Sequence, residues 1–177
     1  MISIRRLEPG DAPALLEMRL RNRVVLEGWE PRREESYFTA AAQLADVRRS
    51  AALWDEDRGY HFGIWHGDRL AGRVALDEVV RGAFQSAFLG YLVSQDLNGR
   101  GVATEAGRLA LGAAFGELRL HRVQAAVMPA NRASLRVLEK LGFRDEGLAE
   151  RYLRINGTWE DHRIFALTAE EWLQGSC

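Results

Sequence analysis

One segment of the chain, residues 89–106, constrains the fold more than any other. The apolar run Leu89–Val93 is typical of a β-strand, a polar turn with glycines at positions 99 and 101 follows, and helical spacing begins at Val102. Glycine lets the backbone approach a ligand closely, and the free amide N–H groups at the start of a helix attract anions. This order of strand, glycine-bearing turn and helix predicts a loop that binds an anionic cofactor.

Two common nucleotide motifs do not fit this loop. A Rossmann fingerprint accepts Gly99 and Gly101 but requires glycine or alanine where the chain has Thr104. A P-loop requires Gly-Lys-Ser/Thr, and the sequence does not contain that tripeptide. NAD and ATP are therefore disfavoured, and another anionic ligand is expected.

The bulk composition limits the remaining classes of protein. The 177 residues fit one domain, and 47% hydrophobic with 28% charged residues is ordinary for a globular chain. A formal net charge of -1 provides no overall field that attracts nucleic acid or a membrane surface. We expect a single domain over residues 1–177, with no direct nucleic-acid partner and no membrane partner.

Cysteine and histidine usage gives further expectations. Cys177 is the only cysteine, so no intramolecular disulfide can form. The four histidines lack the spacing of metal ligands, so no metal site is expected; they are His61, His66, His121 and His162. The first residues lack the apolar core of a signal peptide, and no window is apolar enough to span a membrane, which favours a cytoplasmic protein.

The pattern along the chain predicts an α/β fold with the element order β α α β β β α β α β β. The first helix is expected to reach about Val25, and the second to run from about Arg33 to Leu53. The apolar strand Ala87–Val93 is long enough to be buried on both faces. Asn131 is a good cap for a late helix, and Asn156-Gly157 is a strong hairpin signal.

Two segments resemble the cofactor-binding elements of one enzyme family. Asn98–Ala103 resembles the pyrophosphate loop of the GCN5-related N-acetyltransferases (GNAT), whose pattern is Gln/Arg-x-x-Gly-x-Gly/Ala. Asn131–Ser134, running into Glu139–Phe143, is similar to the second cofactor helix of that family.

Three further segments narrow the resemblance within the family. Gly28–Pro31, Val80–Tyr91 and Asn156–His162 are similar to the RimJ/RimL-type ribosomal-protein alanine N-acetyltransferases. The resemblance covers essentially the whole chain, with the elements in the family's order. It implies a mixed, mostly antiparallel sheet flanked by helices, with a V-shaped split between strands four and five.

The resemblance also implies acetyl transfer from acetyl-coenzyme A to an amine by direct attack on the thioester, with coenzyme A as product and no metal. The pantetheine arm would fill the split beside strand four, and the loop amides would hold the pyrophosphate. The residues expected to bind acetyl-coenzyme A are Leu92, Val93, Asn98, Gly99, Arg100, Gly101, Val102, Ala103, Thr104, Asn131 and Ser134.

Ser134 is the expected group that protonates or stabilises the departing thiolate. Many relatives carry a tyrosine seven residues after the asparagine, where this chain has Leu138, whereas the RimJ/RimL-type enzymes use the serine at plus three. From the residues alone, Ser134 is also simply the third position of a helix capped by Asn131.

The general base is less constrained by the resemblance. Many relatives place a glutamate two residues before the Gly-Tyr pair of strand four, and this chain has Phe88 there. Glu78, Glu30 and His61 are the candidates, and we favour Glu78. Trp29, Glu30 and Tyr91 are expected to contact the acceptor.

Three functions remain open from the sequence. The resemblance favours the α-amine of a protein N-terminus, an alanine on a ribosomal protein in particular, as acceptor. The alternatives are a small amine such as an amino acid, polyamine or antibiotic, and a coenzyme A-binding module with weak catalysis used for sensing or interaction. The protein would act as a monomer or homodimer.

Overall fold

The computed structural model describes residues 1–175, so Cys177 lies outside the described part of the chain. Seven strands are formed: β1 (Ile2–Arg6), β2 (Tyr60–His66), β3 (Arg69–Val80), β4 (Ser86–Val93), β5 (Arg122–Val127), β6 (Arg144–Ile155) and β7 (Thr158–Thr168). Five α-helices accompany them: α1 (Ala12–Leu26), α2 (Ala40–Asp55), α3 (Val102–Phe115), α4 (Arg132–Lys140) and α5 (Ala169–Gly175).

The strands form one sheet in the order β1-β2-β3-β4-β5-β7-β6. Neighbouring strands are antiparallel except for β4 and β5, which are parallel. The β4–β5 pairing covers only Ser86–Phe88 against Arg122–Gln124, although both strands continue further. The predicted mixed sheet with a split between strands four and five is therefore confirmed.

Helices cover both faces of the sheet. The larger core joins Ala106 and Leu111 of α3 to Leu76 and Leu89 of the central strands. The smaller core packs α1 and α2 against the other face, and it contains Leu7, Leu15, Met18, Val47 and Leu70. Within residues 1–175, no helix is both long enough and apolar enough to cross a membrane.

The predicted order of elements is confirmed, with two differences. The second helix begins at Ala40 rather than near Arg33, because Thr39 accepts a hydrogen bond from the Ala42 N–H at 3.2 Å and caps the helix there. A single 3₁₀ turn, Glu35–Tyr37, occupies part of the segment before it. The short helix α5 was not predicted.

The prediction that strand four is buried on both faces is wrong for its second half. Ala87 and Leu89 are buried, but Gly90 is exposed and Tyr91–Val93 is only half-buried. The reason is that β4 has lost its β5 neighbour beyond Phe88. One edge of this half-strand therefore borders a cleft.

The hairpin tip at Asn156-Gly157 also fixes a distant loop. Both residues have positive φ angles, 51° and 90°, as a tight two-residue hairpin requires. The Asn156 side chain donates to the Glu27 carbonyl at 2.6 Å and accepts from the Arg32 N–H at 2.8 Å. The β6–β7 hairpin is thereby joined to the loop that follows α1.

Candidate active site

A cleft of about 570 Å³ lies where β4 and β5 separate. Its walls come from the end of α1 and the following loop, the second half of β4, the start of α3, the end of β5, α4, and one residue of β7. Its polar and aromatic lining includes Trp29, Glu30, Tyr91, Ser134, Arg136, Lys140 and His162. Every element that bears a predicted cofactor residue thus contributes to one cavity.

The glycine-bearing turn forms one end of this cleft. Gly99 and Gly101 have φ angles of 74° and 77°, a left-handed conformation that favours glycine, and Gly101 is the N-cap of α3. A Cβ atom added at either glycine would meet no atom within 4 Å, so the space next to the turn is open. The first amide groups of α3 have no acceptor inside the helix and are available to an anion. The turn fits a pyrophosphate group.

The predicted loop residues differ in their position. Asn98, Gly99 and the segment Gly101–Thr104 line the cleft. Arg100 is not among the lining residues, and its amide makes a long hydrogen bond of 3.4 Å to the Leu97 carbonyl. The amides most available to a ligand are therefore those of Gly101–Thr104.

Asn131 and Ser134 begin α4 beside the cleft. The Asn131 side-chain oxygen accepts from the Ser134 N–H at 3.1 Å, so the predicted capping interaction is present. This bond uses the oxygen of the Asn131 amide and leaves its NH₂ group as a donor. The Ser134 hydroxyl is not used in the cap, so the structural and chemical interpretations of Ser134 are compatible.

The Ser134 hydroxyl pairs with Tyr91 of β4. Their oxygens are 2.7 Å apart, and the Tyr91 hydroxyl also lies 3.3 Å from the Ser134 carbonyl oxygen. Burial raises the pKa of Tyr91 to about 12, against the opposing effect of the Ser134 hydrogen bond. Tyr91 therefore keeps its proton at neutral pH, and two protonated hydroxyls lie together at the cleft.

Comparison with known proteins identifies the family of this chain. A family model described as the acetyltransferase (GNAT) domain matches residues 2–144. The chain belongs to the GNAT acetyltransferase family.

Individual relatives agree with this assignment across nearly the whole chain. The probable N-acetyltransferase YjcK of Bacillus subtilis is 44% identical, over 94% of this chain and 93% of its own length. The [ribosomal protein uS5]-alanine N-acetyltransferase of Escherichia coli is 33% identical, over 97% of this chain and 90% of its own. The structure of Mycobacterium smegmatis RimJ in complex with CoA-disulfide superposes with a TM-score of 0.91 at 31% identity, covering 99% and 89% of the two chains.

The hydroxyl pair brings a phenol to α4 although Leu138 occupies the position seven residues after Asn131. Leu138 is fully buried in the larger core. A phenol nevertheless reaches the start of α4, because Tyr91 approaches from β4. Tyr91 also lines the cleft, so its predicted contact with the acceptor stays a prediction beside its hydrogen bond to Ser134.

The three residues considered as general base lie in different environments. Glu30 lines the GNAT cleft, but its carboxylate accepts from Arg19 at 2.8 Å. Glu78 is exposed at a bulge of β3, has a φ of 53°, and is not among the lining residues. His61 is not among them either, and it is bonded through both ring nitrogens to Ser50 and Asp77, at 3.0 and 2.6 Å.

The structure adds one cleft residue that the sequence reasoning did not select. His162 of β7 is 5% exposed and lines the cleft. The histidine spacing predicts no metal role for it, but it closes the Asn156–His162 segment that carries the family resemblance. Among residues 1–175 no group of three or more His, Cys, Asp or Glu side chains is placed to hold a metal ion. Trp29, predicted to contact the acceptor, lies at the cleft with 41% of its surface exposed.

Proposed function

We propose that this protein transfers the acetyl group of acetyl-coenzyme A to the α-amine of a protein N-terminus, with an alanine of a ribosomal protein as the favoured acceptor. The observation that carries the proposal is the Tyr91–Ser134 hydroxyl pair, which lies at the cleft that also contains the anion-binding turn. The similarity to a ribosomal-protein-alanine enzyme over 97% of the chain supports the acceptor class. Such an enzyme would act in the cytoplasm, where ribosomal proteins are made.

Binding of the acyl donor uses groups that the fold leaves available. The amides of Gly101–Thr104 and the positive end of the α3 dipole would hold the pyrophosphate, with Asn98, Gly99 and Arg100 shaping the turn. The backbone of Leu92 and Val93, on the half of β4 that has no β5 partner, would pair with the pantetheine arm. The free NH₂ group of Asn131 would donate to a pantetheine carbonyl.

Ser134 and Tyr91 would supply the proton that the leaving sulfur needs. The Ser134 O–H would donate to sulfur as the C–S bond breaks, and the neighbouring Tyr91 O–H would stabilise and restore the serine proton. No enzyme nucleophile is needed, because holding amine and thioester together is worth an effective concentration of roughly 10⁵–10⁸ M in well-oriented systems.

The charges of the cleft favour an N-terminal peptide over a polycationic amine. Glu30, a carboxylate that lines the cleft, is already paired with Arg19. Arg136 and Lys140 add positive charge to the lining. Like charges repel, so a polyamine would be disfavoured, whereas an alanine N-terminus brings one amine and no charged side chain.

The acceptor end of the cleft is bounded by elements that are fixed to each other. Asn156 joins the β6–β7 hairpin to the loop that carries Trp29 and Glu30. Trp29 is part exposed at this end and offers an apolar surface to residues that follow an N-terminal alanine.

A direct assay tests the proposal. The protein is incubated with acetyl-coenzyme A and either a panel of Ala-starting peptides, including the N-terminal sequence of a ribosomal protein, or a panel of small amines. Thiol release gives the rate, and mass spectrometry locates the acetyl group. The matched control is the same peptide with its α-amine blocked.

We expect turnover with Ala-starting peptides, acetyl on the α-amine, and no turnover with the blocked control. Turnover with small amines alone would replace the acceptor assignment. Coenzyme A binding without turnover in either panel would favour the binding-module alternative.

A further inference from the structure

The geometry points to His162 as the catalytic general base that takes a proton from the acceptor amine, an inference that rests on the proposed function. The acceptor α-amine is largely protonated at neutral pH, because its ordinary pKa is about 7.7–8.0. A proton must leave the nitrogen before it can attack, so a base at the acceptor end of the cleft would increase the rate.

A hydrogen bond to the backbone sets the tautomer of His162. Its Nδ1 atom lies 3.0 Å from the carbonyl oxygen of Glu160. A carbonyl oxygen can only accept, so Nδ1 carries the hydrogen in the neutral ring. Nε2 is then the atom with the free lone pair, and no described residue hydrogen-bonds to it. His162 therefore presents a proton acceptor from a side chain that lines the cleft.

The sheet separates this acceptor from the hydroxyl pair. Gln124 of β5 pairs with Phe88 of β4 on one side and with Ala166 of β7 on the other. Residues that pair directly across neighbouring strands share a face of the sheet, and so do side chains two residues apart in one strand. His162, four residues from Ala166, is thus on the Phe88 face, and Tyr91, three residues from Phe88, is on the opposite face. The proton acceptor and the proton donors approach the cleft from opposite faces of the sheet.

The other ionisable groups that line the cleft are unsuited to this task. Glu30 is paired with Arg19, and Arg136 and Lys140 have side chains that donate hydrogen bonds and do not accept them. Burial raises the pKa of Tyr91 to about 12, so it remains protonated. Imidazole is the side chain whose chemistry suits proton transfer near neutral pH.

The aromatic ring packed against His162 belongs to a side chain that stays neutral. The Tyr152 ring of β6 lies against it, with centroids 5.6 Å apart. Burial, and then the charge of Glu78, raise the pKa of Tyr152, so this neighbour stays neutral at physiological pH. Glu78 itself is not among the residues that line the cleft.

The proton balance of the reaction is complete with these groups. The acceptor ammonium gives one proton to Nε2 of His162, and the nitrogen lone pair forms the new C–N bond at the thioester carbonyl. The C–S bond breaks, its electron pair leaves with sulfur, and sulfur takes the Ser134 proton. The nitrogen releases its second proton, which replaces the one taken from the Ser134–Tyr91 pair. His162 then returns its proton to solvent.

The decisive variant is His162→Asn, with His66→Asn as its matched control. The asparagine NH₂ can occupy the position of Nδ1 and keep the bond to Glu160, but asparagine cannot act as a base. His66 lies at the exposed β2–β3 turn and is not among the cleft-lining residues. Glu78→Gln is measured in parallel, because Glu78 is the base favoured by the sequence. For each protein, kcat with an Ala-starting peptide is measured from pH 6.5 to 9.5.

We expect His162→Asn to lower kcat by about 100-fold at pH 6.5, within the usual range for losing a general base. The loss should shrink to less than about fivefold at pH 9.5, where the amine is already neutral. His66→Asn should match the wild type throughout. A loss for His162→Asn that is constant with pH, or a pH-dependent loss in Glu78→Gln instead, would overturn the assignment.

A second measurement does not depend on turnover. Nitrogen-15 NMR of the histidine rings in the wild type should show, for the signals absent from His162→Asn, a protonated Nδ1 and an unprotonated Nε2 in the neutral ring. The opposite tautomer would refute the argument. Failure of the proposed function would look different: the wild type itself would not acetylate peptides, whatever the tautomer.

Discussion

Two part-buried polar regions of the described residues each contain a histidine, and they differ in how many of their polar atoms are hydrogen-bonded within the protein. The first, here called the polar layer, lies between α2 and the sheet and comprises Asp46, Ser50, His61, Arg73 and Asp77. Arg73 can only donate, so Nδ1 of His61 accepts and Nε2 donates to Asp77. Both nitrogens are used inside the fold.

In the cleft between β4 and β5, several polar groups use only part of their hydrogen-bonding capacity within the protein. His162 uses one ring nitrogen on a backbone carbonyl, Asn131 uses one end of its amide, and the first amides of α3 have no helical partner. Saturated polar groups fix the fold, whereas half-used groups can take a ligand or a proton.

The largest effect is expected for Gly101→Asp in the cleft. Aspartate tolerates the left-handed backbone better than most residues, so the fold should survive, but its carboxylate would stand where the pyrophosphate binds. Losing favourable contacts to a charged group, each worth about 1.5–3 kcal/mol, predicts a loss of coenzyme A affinity of about 1000-fold. Isothermal titration calorimetry with coenzyme A measures it.

Gly101→Asn is the matched control, because it has nearly the same shape and no charge. It should bind coenzyme A much more tightly than Gly101→Asp. Equal affinities for the two variants would show that charge at this turn is irrelevant and would refute the pyrophosphate assignment.

The next effect is expected in the polar layer, for Asp46→Asn. Asp46 accepts from both Arg73 and Arg49, and its side chain is 8% exposed. Removing one partner of a buried ion pair costs about 3 kcal/mol, because the other charge is left buried. Urea denaturation at pH 7 should show this loss, with coenzyme A affinity nearly unchanged.

At acid pH, the difference in unfolding free energy between Asp46→Asn and the wild type should become smaller. Burial alone would raise the pKa of Asp46, but the charge and hydrogen bond of Arg73, with Arg49, lower it. A lowered pKa stabilises the fold above the unfolded value of about 3.9, and this stabilisation is lost as pH falls through the folded value. Asp55→Asn, in an exposed pair with Arg6, is the control and should cost less than about 1 kcal/mol. Equal losses of unfolding free energy in Asp46→Asn and Asp55→Asn would contradict the distinction between the buried and the exposed ion pair.

A third prediction concerns the hydroxyl pair of the cleft. Ser134→Ala should lower kcat by about 100-fold, and Tyr91→Phe by about tenfold, because the first removes the proton donor and the second its support. Affinity for coenzyme A should change by less than about threefold in both. Since the pKa of Tyr91 is about 12, the wild-type and Tyr91→Phe pH profiles should run parallel between pH 6 and 10.

Ser3→Ala, on the exposed side of β1, is the control for serine removal. If Ser134→Ala turned over like Ser3→Ala, the serine would have only its structural position in α4. If it lost binding rather than turnover, Ser134 would belong to donor recognition.

Local signals made much of the fold predictable. The helical periodicity after Val102, the cap at Asn131 and the hairpin at Asn156-Gly157 depend on residues within a few positions of each other. The start of α2 differs from the prediction because residues 33–38 are polar enough to resemble a helix surface, whereas the helix begins only after the Thr39 cap.

The site was predictable only where its chemistry is local. The anion turn is contiguous in sequence, so its glycines revealed it. The Tyr91–Ser134 pair joins residues 43 positions apart, and periodicity cannot show such a contact. The orientation of His162 depends on the β5–β7 register and on a carbonyl two residues away, and the saturation of His61 depends on α2 packing over β2. Such information exists only once the sheet is assembled.

The smallest effect is expected for His61→Asn, which separates the two histidines directly. Asparagine is too short to bridge Ser50 and Asp77, so one hydrogen bond of the polar layer is lost, at a cost of about 1.5 kcal/mol in unfolding free energy. Because His61 is not among the cleft-lining residues, kcat should keep the wild-type pH profile. His162→Asn should do the reverse, with a large, pH-dependent loss of kcat and a smaller loss of stability, because its bond to Glu160 can be kept. If His61→Asn instead lost turnover at low pH while keeping its stability, the polar layer would be part of the proton path, and saturation inside the fold would no longer distinguish a structural histidine from a catalytic one.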